Sequence, residues 1–222
     1  MLLYLVRHGE TYLNKYGRMQ GWSDAPLTVN GEKSAQLCGQ RLKNIHFSGL
    51  YSSDFGRTIA TAKLINAEIQ QGLEIVPKAE FRETFFGIYE GEHGKLAWAT
   101  VAQKNGFETV EQMYQTFSIE EMMDAFHFAD EYHDADDYAT FWARISRGLG
   151  ELSNTYAEDE PVLLVTHGNV IRNIAYQVDS GINGAEELKN AAVTLIEYSE
   201  ARKIIRFYNQ TDLPEEEMIY EV

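Results

Sequence analysis

Three short apolar runs constrain the fold of this chain more than any other feature. They are Leu2 to Val6, Gly49 to Ser52 and Val162 to Thr166. Runs of this length, rich in aliphatic and β-branched residues, are typical of strands buried on both faces. Helical patterns lie between them, at residues 28–42 and 54–69, and each begins at a residue type that caps helices, Thr28 and Asp54.

The alternation of strand and helix predicts an α/β fold. We expect a three-layer sandwich in which a mostly parallel central sheet is flanked by helices. With 222 residues, of which 44% are hydrophobic, the chain can bury one core, so residues 1–222 are predicted to form a single domain. A hairpin of residues 193–198 and 204–208, turning at 200–202, is expected to extend the sheet, and the acidic tail 214–222 is expected at the surface.

The sequence changes character after Gly91. Residues 92–137 read as short helices broken near Asn105-Gly106 and Ser118, which predicts a small helical cap inserted into the domain. The segment 105–143 has no Lys or Arg but ten acidic residues. The cap is therefore expected to bring almost no positive charge to whatever it covers.

The overall charge limits the partners of the chain. A formal net charge of −15 argues against nucleic acid or an anionic membrane, because both favour a surplus of Lys and Arg. No apolar run approaches the ~20 residues that span a bilayer. Cys38 is the single cysteine, so neither an intrachain disulfide nor a multi-cysteine metal site can form, and a reducing cytoplasm is the expected location.

Two histidines follow apolar strands directly and are each followed by glycine. His8 comes after the first run and Arg7, and His167 comes after the last run. In open α/β sheets, ligands bind at the carboxyl ends of strands, and glycine allows the backbone to approach a ligand closely. This placement predicts that both imidazoles lie at one functional edge of the sheet.

An arginine follows the remaining run in the first turn of the next helix. Free N–H groups and the helix dipole favour an anion at that place, so Arg57 is a candidate phosphate ligand. Arg7 and Arg57 can each present a planar fork of donors to phosphate oxygens, and His167 can add another donor. The combination predicts a site for a phosphoryl group.

Phosphoryl transfer at such a site needs charge stabilisation and an in-line nucleophile more than it needs a metal. Neutral His8 would attack phosphorus to form a phosphohistidine, since nearby guanidinium groups disfavour its protonated form. Glu83, which lies in an apolar stretch, is the candidate that protonates the leaving alcohol. No metal or cofactor is predicted.

The order of these residues resembles the histidine phosphatase superfamily, also called the phosphoglycerate mutase-like family. The similarity runs over most of the chain and rests on five sequence blocks. They are Arg7-His8-Gly9-Glu10-Thr11 with Asn14; Gly17 to Trp22 followed by Asp24, Pro26, Leu27, Thr28 and Gly31; Tyr51-Ser52-Ser53 with Gly56-Arg57-Thr58; Glu83 with Gly87 and Glu90-Gly91; and Thr166-His167-Gly168.

The resemblance implies the same roles as the reading from strand ends and charge. It implies His8 as nucleophile and a phosphate pocket of Arg7, Arg57 and His167, the last also a catalytic residue. The role of Glu83 as proton donor depends most on the resemblance. By the same resemblance, Asn14 is expected to bind phosphate, and Gln20 and Gly21 are expected to bind substrate.

Within the family, mutases return the phosphoryl group to a second position of the substrate, whereas phosphatases transfer it to water. The mutases that this chain resembles hold a second anionic group with arginines in the insert, and segment 105–143 has none. We therefore expect a phosphatase of small phosphate monoesters. Lys95, Lys104 and Arg82 could still hold a second anion, so a mutase remains an alternative.

Two further alternatives belong to other classes. One is a non-catalytic phosphate-binding relative. Such a protein would be expected to have lost at least one of the five candidate site residues, which are all present here: Arg7, His8, Arg57, Glu83 and His167. A metal enzyme would use His127 and His133, but their spacing fits no compact ligand motif, and a solvated acidic helix face explains them.

The expected partner is a small phosphorylated metabolite, and a homodimer is left open. The insert contains seven aromatic residues, at positions 98, 107, 114, 117, 126, 128 and 132. If their rings face the cleft, the preferred substrate is the phosphate of an uncharged or apolar alcohol.

Overall fold

The computed structural model describes residues 1–199 and 202–212. Part of the predicted hairpin turn and all of the acidic tail 214–222 lie outside the described residues. Six strands form one sheet in the order β3-β2-β4-β1-β5-β6. They are β1 (Leu2–Arg7), β2 (Gly49–Ser52), β3 (Ile75–Pro77), β4 (Pro161–Thr166), β5 (Val193–Tyr198) and β6 (Lys203–Gln210).

The sheet is mostly parallel, as predicted. Strand β4 pairs in parallel with β1 and β2, β2 pairs in parallel with β3, and β5 runs antiparallel to both β1 and β6. The antiparallel pair β5–β6 is the predicted hairpin. Strand β3 was not predicted, because three residues at the edge of a sheet leave almost no apolar run to detect.

Eight helices accompany the sheet within the described residues. They are α1 (Tyr12–Lys15), α2 (Val29–Leu42), α3 (Gly56–Ile69), α4 (Gly94–Lys104), α5 (Val110–Thr116), α6 (Ile119–Ala129), α7 (Tyr138–Thr155) and α8 (Gly168–Tyr176). Thr28 caps α2 as predicted, since its hydroxyl accepts a hydrogen bond from the backbone N–H of Gly31 at 3.0 Å.

The predicted cap of α3 is wrong. Helix α3 begins at Gly56, Phe55 occupies the cap position, and no side chain caps it. The carboxylate of Asp54 instead accepts hydrogen bonds from Arg82 Nε at 2.8 Å and Nη2 at 2.6 Å. A charge-assisted, two-pronged contact with a distant arginine outcompetes a local backbone N–H.

Alternate residues of β1 point to opposite faces of the sheet. Leu3 and Leu5 pack against Phe141, Ile145 and Leu149 of α7 and against residues of α8. Tyr4 and Val6 pack in a second cluster with residues of α2 and α3. Each fully buried aliphatic side chain stabilises the fold by roughly 1.5–3 kcal/mol. The predicted three-layer sandwich is therefore confirmed.

Helices α4, α5 and α6 build a third apolar cluster, in which Val101, Met113 and Phe126 are buried. The helices break where the sequence predicted. Helix α4 ends at Lys104, before Gly106 with its φ of +84°, and Ser118 caps α6 through its hydroxyl. In the described part of the chain, no helix is both long and apolar enough to cross a membrane.

Candidate active site

The two strand-end histidines meet because β1 and β4 are parallel neighbours. Arg7 pairs with Thr166 in the register, so His8 and His167 leave the sheet side by side. Their ring centroids are 5.3 Å apart, and the backbone N–H of His8 donates to the carbonyl of Thr166 at 2.9 Å. Both side chains are buried. The structure thus brings together the two imidazoles that the sequence placed at one edge.

His8 is held as a neutral imidazole. Its Nδ1 lies 2.9 Å from the carbonyl oxygen of Gly9, which can only accept, so the proton resides on Nδ1 and Nε2 carries the lone pair. Burial, then the charges of Arg57 and Arg7, holds the pKa of His8 well below its usual range. A neutral imidazole with a free Nε2 is the form that attacks phosphorus.

Arg57 lies in the first turn of α3, as predicted, and is fully buried. Its Nη1 donates to the carbonyl of Ser23 at 2.9 Å and to Asp24 Oδ1 at 3.0 Å. Its Nη2 donates to the carbonyl of Gly21 at 2.6 Å and to His167 Nδ1 at 3.1 Å. The terminal N–H groups that were predicted to bind phosphate thus bind acceptors of the protein itself. The Nε–H group and the positive charge of Arg57 remain for a ligand.

His167 has the opposite tautomer from His8. Arginine donates only, so Nδ1 of His167 accepts from Arg57 and the proton resides on Nε2. Nε2 is buried and has no hydrogen-bond partner in the described chain. Burial, followed by the charges of Arg57, His8 and Arg7, holds the pKa of His167 well below its usual range. The ring is therefore a neutral hydrogen-bond donor.

Arg7 contributes a third donor. Its Nη1 donates to the carbonyl of Leu188, while its Nε is buried and unpartnered within residues 1–199 and 202–212. The same holds for Nε of Arg57. Buried donors without partners are uncommon in folded proteins. The residues that carry the three donors are close to His8, since Arg7 precedes it in the chain, the ring of His167 is 5.3 Å away and Arg57 contacts His167. Three donors match the three oxygens of a phosphoryl group.

Glu83 sits on the loop after a short 3₁₀ turn, Ala79–Phe81, with its carboxyl group buried. Its Oε1 accepts from the N–H of Thr84 at 2.9 Å and its Oε2 from that of Asn169 at 3.2 Å. Burial raises the pKa of Glu83, although those two N–H groups and the charges of Arg57 and Arg7 oppose the shift. A side chain built on Gly168 would come within 3.7 Å of Arg7 Nε and 3.8 Å of Glu83 Oε2, so the two groups lie close together.

Sequence reasoning missed the residues that hold the Glu83 loop. Arg144 Nη1 donates to the carbonyls of Arg82 at 2.6 Å and Glu80 at 3.1 Å, and its Nη2 reaches Asp136 at 3.1 Å. The indole N–H of Trp22 donates to the carbonyl of Glu83 at 3.0 Å. Arg144 is the first Lys or Arg after segment 105–143. An isolated arginine after so long a stretch without one could have marked it as a residue with a specific structural role.

Three predicted ligands have local structural contacts. Asn14 Oδ1 accepts from the N–H of Thr11 at 3.2 Å and so completes the capping box in which Thr11 caps α1. Gln20 Oε1 accepts from the Thr11 hydroxyl at 2.6 Å, while its buried Nε2 has no partner among the described residues. Gly21 offers its backbone, whose carbonyl holds Arg57. Their roles toward phosphate and substrate stay predictions.

The candidate metal ligands are engaged with backbone. His127 Nδ1 lies 2.7 Å from the carbonyl of Ala135, and His133 Nδ1 lies 3.1 Å from the carbonyl of His127. The carboxylate of Asp130 accepts backbone hydrogen bonds from Tyr132, Asp134 and Ala135. In the part of the chain that the structure describes, no three His, Cys, Asp or Glu side chains group closely enough to hold a metal ion.

Some aromatic residues of the insert face a narrow pocket of about 40 Å³ beside the Glu83 loop. Thr84 and Asn169 line its near side, and the rest of its wall is largely apolar except for Arg172 and Asn173. The insert rings that line it are Trp98, Tyr114 and Phe126. By contrast, Phe107 and Phe117 pack on each other, and Phe128 and Tyr132 are exposed. The expectation that insert rings face the phosphoryl site stays a prediction, because Arg7, His8, Arg57, Glu83 and His167 are not among the residues that line this pocket. Helix α8 adds an arginine to its wall, whereas segment 105–143 has no Lys or Arg.

Comparisons with known proteins agree with this geometry. A model of the histidine phosphatase superfamily (branch 1) matches residues 3–211. A probable phosphoglycerate mutase, GpmB of Citrobacter koseri, is 43% identical over 91 residues, 41% of this chain and 41% of that protein. The matched region thus spans about two fifths of the length of this curated relative.

Solved structures match over nearly the whole chain. The phosphoglycerate mutase from Bacillus anthracis str. Sterne superposes with a TM-score of 0.89 at 35% identity, covering 98% of this chain and 95% of that one. A mycobacterial glucosyl-3-phosphoglycerate phosphatase superposes with a TM-score of 0.74 at 23% identity, covering 94% and 98%. The second likeness concerns the fold alone.

Proposed function

The chain belongs to the histidine phosphatase superfamily, and from this premise we propose that it hydrolyses small phosphate monoesters through a phosphohistidine on His8. The observation that carries the proposal is the arrangement around that ring. A neutral imidazole with a free Nε2 faces a site where Nε of Arg7, Nε of Arg57 and Nε2 of His167 are buried donors without partners in the described chain. No step of the proposed reaction requires a metal ion.

The first step transfers the phosphoryl group to the enzyme. Nε2 of His8 forms a bond to phosphorus as the bond from phosphorus to the ester oxygen breaks. Glu83 gives its proton to that oxygen, so the product leaves as a neutral alcohol. The three buried donors stabilise the equatorial oxygens, and the buried site strengthens each of these interactions.

The second step returns the enzyme to its starting state. Water attacks phosphorus, the bond to His8 breaks, and the Glu83 carboxylate accepts a proton from the water. Inorganic phosphate then leaves. Glu83 therefore acts as acid and then as base, which its raised pKa permits.

The placement of the basic residues supports hydrolysis over a mutase reaction. Lys104 donates to the carbonyl of Ala129 at 2.7 Å, and Arg82 is paired with Asp54. Lys95 is exposed on α4. Two of the three cations that could have held a second anionic group are thus engaged elsewhere, so the alcohol is expected to leave before the phosphoryl group can return to it.

A mutase remains the second candidate on two specific observations. A structure at 35% identity carries the name phosphoglycerate mutase. In addition, Arg172 of α8 lines the pocket beside Glu83 and could hold a carboxylate there.

We further propose that residues 92–137 form a cap over the site and that the natural partner is a small phosphorylated metabolite. The apolar wall of the pocket supports an alcohol with a small apolar group. Arg172 lies in the same wall and supports a second substrate class, in which the alcohol carries a carboxylate.

A panel of monoesters tests the function. We expect wild-type protein to hydrolyse p-nitrophenyl phosphate after thorough chelation, whereas His8→Ala is expected to be inactive. In parallel, 3-phosphoglycerate and a sugar bisphosphate are assayed for both phosphate release and isomerisation. Isomerisation faster than phosphate release would replace the phosphatase by the mutase, and activity in His8→Ala would remove the phosphohistidine.

A further inference from the structure

We infer that Glu90 is a positioning residue for Arg57, an inference that rests on the proposed phosphoryl site. Its carboxylate fixes the backbone of residues 21–23, and that backbone holds the guanidinium beside His167. Glu90 is among the residues that carry the family resemblance, which assigned it no role. The structure connects it to the site through a short loop.

The carboxylate of Glu90 collects four backbone N–H groups. Its Oε1 accepts from Trp22 at 2.8 Å and Phe86 at 3.1 Å, and its Oε2 accepts from Ser23 at 2.9 Å and Gly21 at 3.2 Å. Three consecutive N–H groups of one loop thus converge on one charged group. Hydrogen bonds to a charged acceptor are stronger than those between neutral groups, so the loop has little freedom.

The same loop presents its carbonyls to Arg57. Arg57 Nη2 donates to the carbonyl of Gly21 at 2.6 Å, and Nη1 donates to the carbonyl of Ser23 at 2.9 Å. The peptide unit between Gly21 and Trp22 therefore has its N–H on Glu90 and its C=O on Arg57. Its dipole, about 3.5 D, points its negative end at the guanidinium and its positive end at the carboxylate. Burial lowers the pKa of Arg57, and the charges of Asp24, Glu83 and Glu90 oppose that shift.

Glycine at position 21 is required by this packing. A Cβ there would lie 2.1 Å from the carbonyl oxygen of Thr84 and 2.2 Å from Oε1 of Glu90. Thr84 follows Glu83, so the loop is clamped between the segment of the proton donor and Glu90. The position that resemblance assigned to substrate binding thus serves, in this geometry, to let the Glu90 carboxylate approach the backbone.

A glutamine at position 90 would keep the shape but not the function. It has one acceptor oxygen for four N–H groups, and its own NH₂ would face donors. We expect the loop to shift and the guanidinium to lose its fixed place against His167. Vanadate, which adopts the geometry of phosphate in transfer, reports on that place without requiring turnover.

The experiment compares Glu90→Gln and Glu90→Asp with the control Glu92→Gln. Glu92 lies two residues after Glu90, and its side chain is exposed. We measure the melting temperature, kcat and KM for p-nitrophenyl phosphate, and the inhibition constant of orthovanadate. Glu90→Gln is expected to raise the vanadate constant about tenfold or more, equivalent to about 1.4 kcal/mol. Glu90→Asp should raise the vanadate constant less than Glu90→Gln does, and Glu92→Gln should have the wild-type constant.

A double-mutant cycle with Arg57→Ala separates positioning from general damage. If Glu90 acts through Arg57, Glu90→Gln should change the vanadate constant less than about twofold once Arg57 is absent. An equal loss in both backgrounds, or no loss in folded Glu90→Gln, would overturn the inference. If Glu90→Gln does not unfold cooperatively, the Glu90→Asp variant is used instead. A wild-type vanadate constant in Glu90→Asp would also overturn the inference. A wild-type protein that neither binds vanadate nor turns over would instead reject the proposed function.

Discussion

Burial moves the pKa values of His8 and Glu83 in opposite directions. It lowers the pKa of His8, whose charged form is cationic, and raises the pKa of Glu83, whose charged form is anionic. Both shifts therefore favour the neutral form of the side chain. These are the forms that a nucleophilic imidazole and a proton-donating carboxyl group need.

The pH profile follows from these shifts. His8 must be neutral, so activity falls only at pH values below its lowered pKa. Glu83 must be protonated, so kcat/KM for alkyl monoesters falls as pH rises through its raised pKa. We expect an optimum on the acid side of neutrality for wild type. For Glu83→Gln we expect no alkaline fall and a loss of about 10²–10⁴ in rate with alkyl esters.

Leaving-group dependence provides the control for that prediction. p-Nitrophenolate needs little protonation, so Glu83→Gln should lose much less in forming phosphoenzyme from p-nitrophenyl phosphate. An equal loss with both substrate types would contradict the acid role.

Arg57 illustrates a residue whose neighbours the sequence could not give. Its position was predicted from a helix start, but its four terminal contacts come from Ser23, Asp24, Gly21 and His167, which are distant in the chain. The sequence therefore predicted the charge at the site and missed how it is held.

Replacement by lysine tests the fork geometry. A lysine has three donors on one nitrogen and cannot reach four acceptors in a plane. Arg57→Lys is expected to lower kcat/KM by about 10² or more, an effect of the size seen when one preorganised donor is removed. Steady-state kinetics with p-nitrophenyl phosphate measures this, and a loss below about threefold would show that charge alone suffices.

At the level of elements, local signals were enough where local contacts decide the structure. Thr28 and Ser118 cap their helices with their own hydroxyls. Strands β5 and β6 follow one another in the chain, so their antiparallel pairing is a local contact as well. Helix α8 was not predicted, because His167 at its N-cap gives no side-chain cap. Asp54 looked like a cap but pairs with Arg82, and no local rule contains that partner.

Helix α7 supplies a testable link between an element and the site. Arg144 on α7 holds the carbonyls of Glu80 and Arg82 and pairs with the largely buried Asp136. Arg144→Met leaves that carboxylate unpaired and frees the Glu83 loop. We expect a loss of about 2–4 kcal/mol in the free energy of unfolding and a lower kcat with alkyl esters.

The matched control lies one turn further along α7. Arg147 is exposed, and its Nη2 lies 3.7 Å from Glu80. Arg147→Met should change the free energy of unfolding by less than about 1 kcal/mol and leave kcat unchanged. Urea titration and steady-state kinetics of both variants decide the matter. Equal behaviour of the two would contradict a specific role for Arg144.

On the scale of the whole molecule, the strand order creates the site. β1 and β4 are far apart in sequence but adjacent and parallel in the sheet, and this brings His8 to His167. Sequence patterns predicted that both lie at strand ends but could not give the order β3-β2-β4-β1-β5-β6, which depends on how all the helices pack. The net charge of −15 did not predict the sign of the potential at the site. Two buried arginines determine that potential, because they are much closer to the site than the acidic surface is.

The identity of the residue that is phosphorylated during turnover tests the proposed mechanism most directly. Glu83→Gln is mixed with p-nitrophenyl phosphate, quenched within milliseconds, digested and examined by mass spectrometry under conditions that preserve phosphohistidine. Without a base for the attacking water, the intermediate should accumulate, with the phosphoryl group on the imidazole of His8 and none on a His8→Ala, Glu83→Gln double variant. A phosphoryl group found on any other residue, or release of p-nitrophenol with no phosphoenzyme at any time, would contradict it.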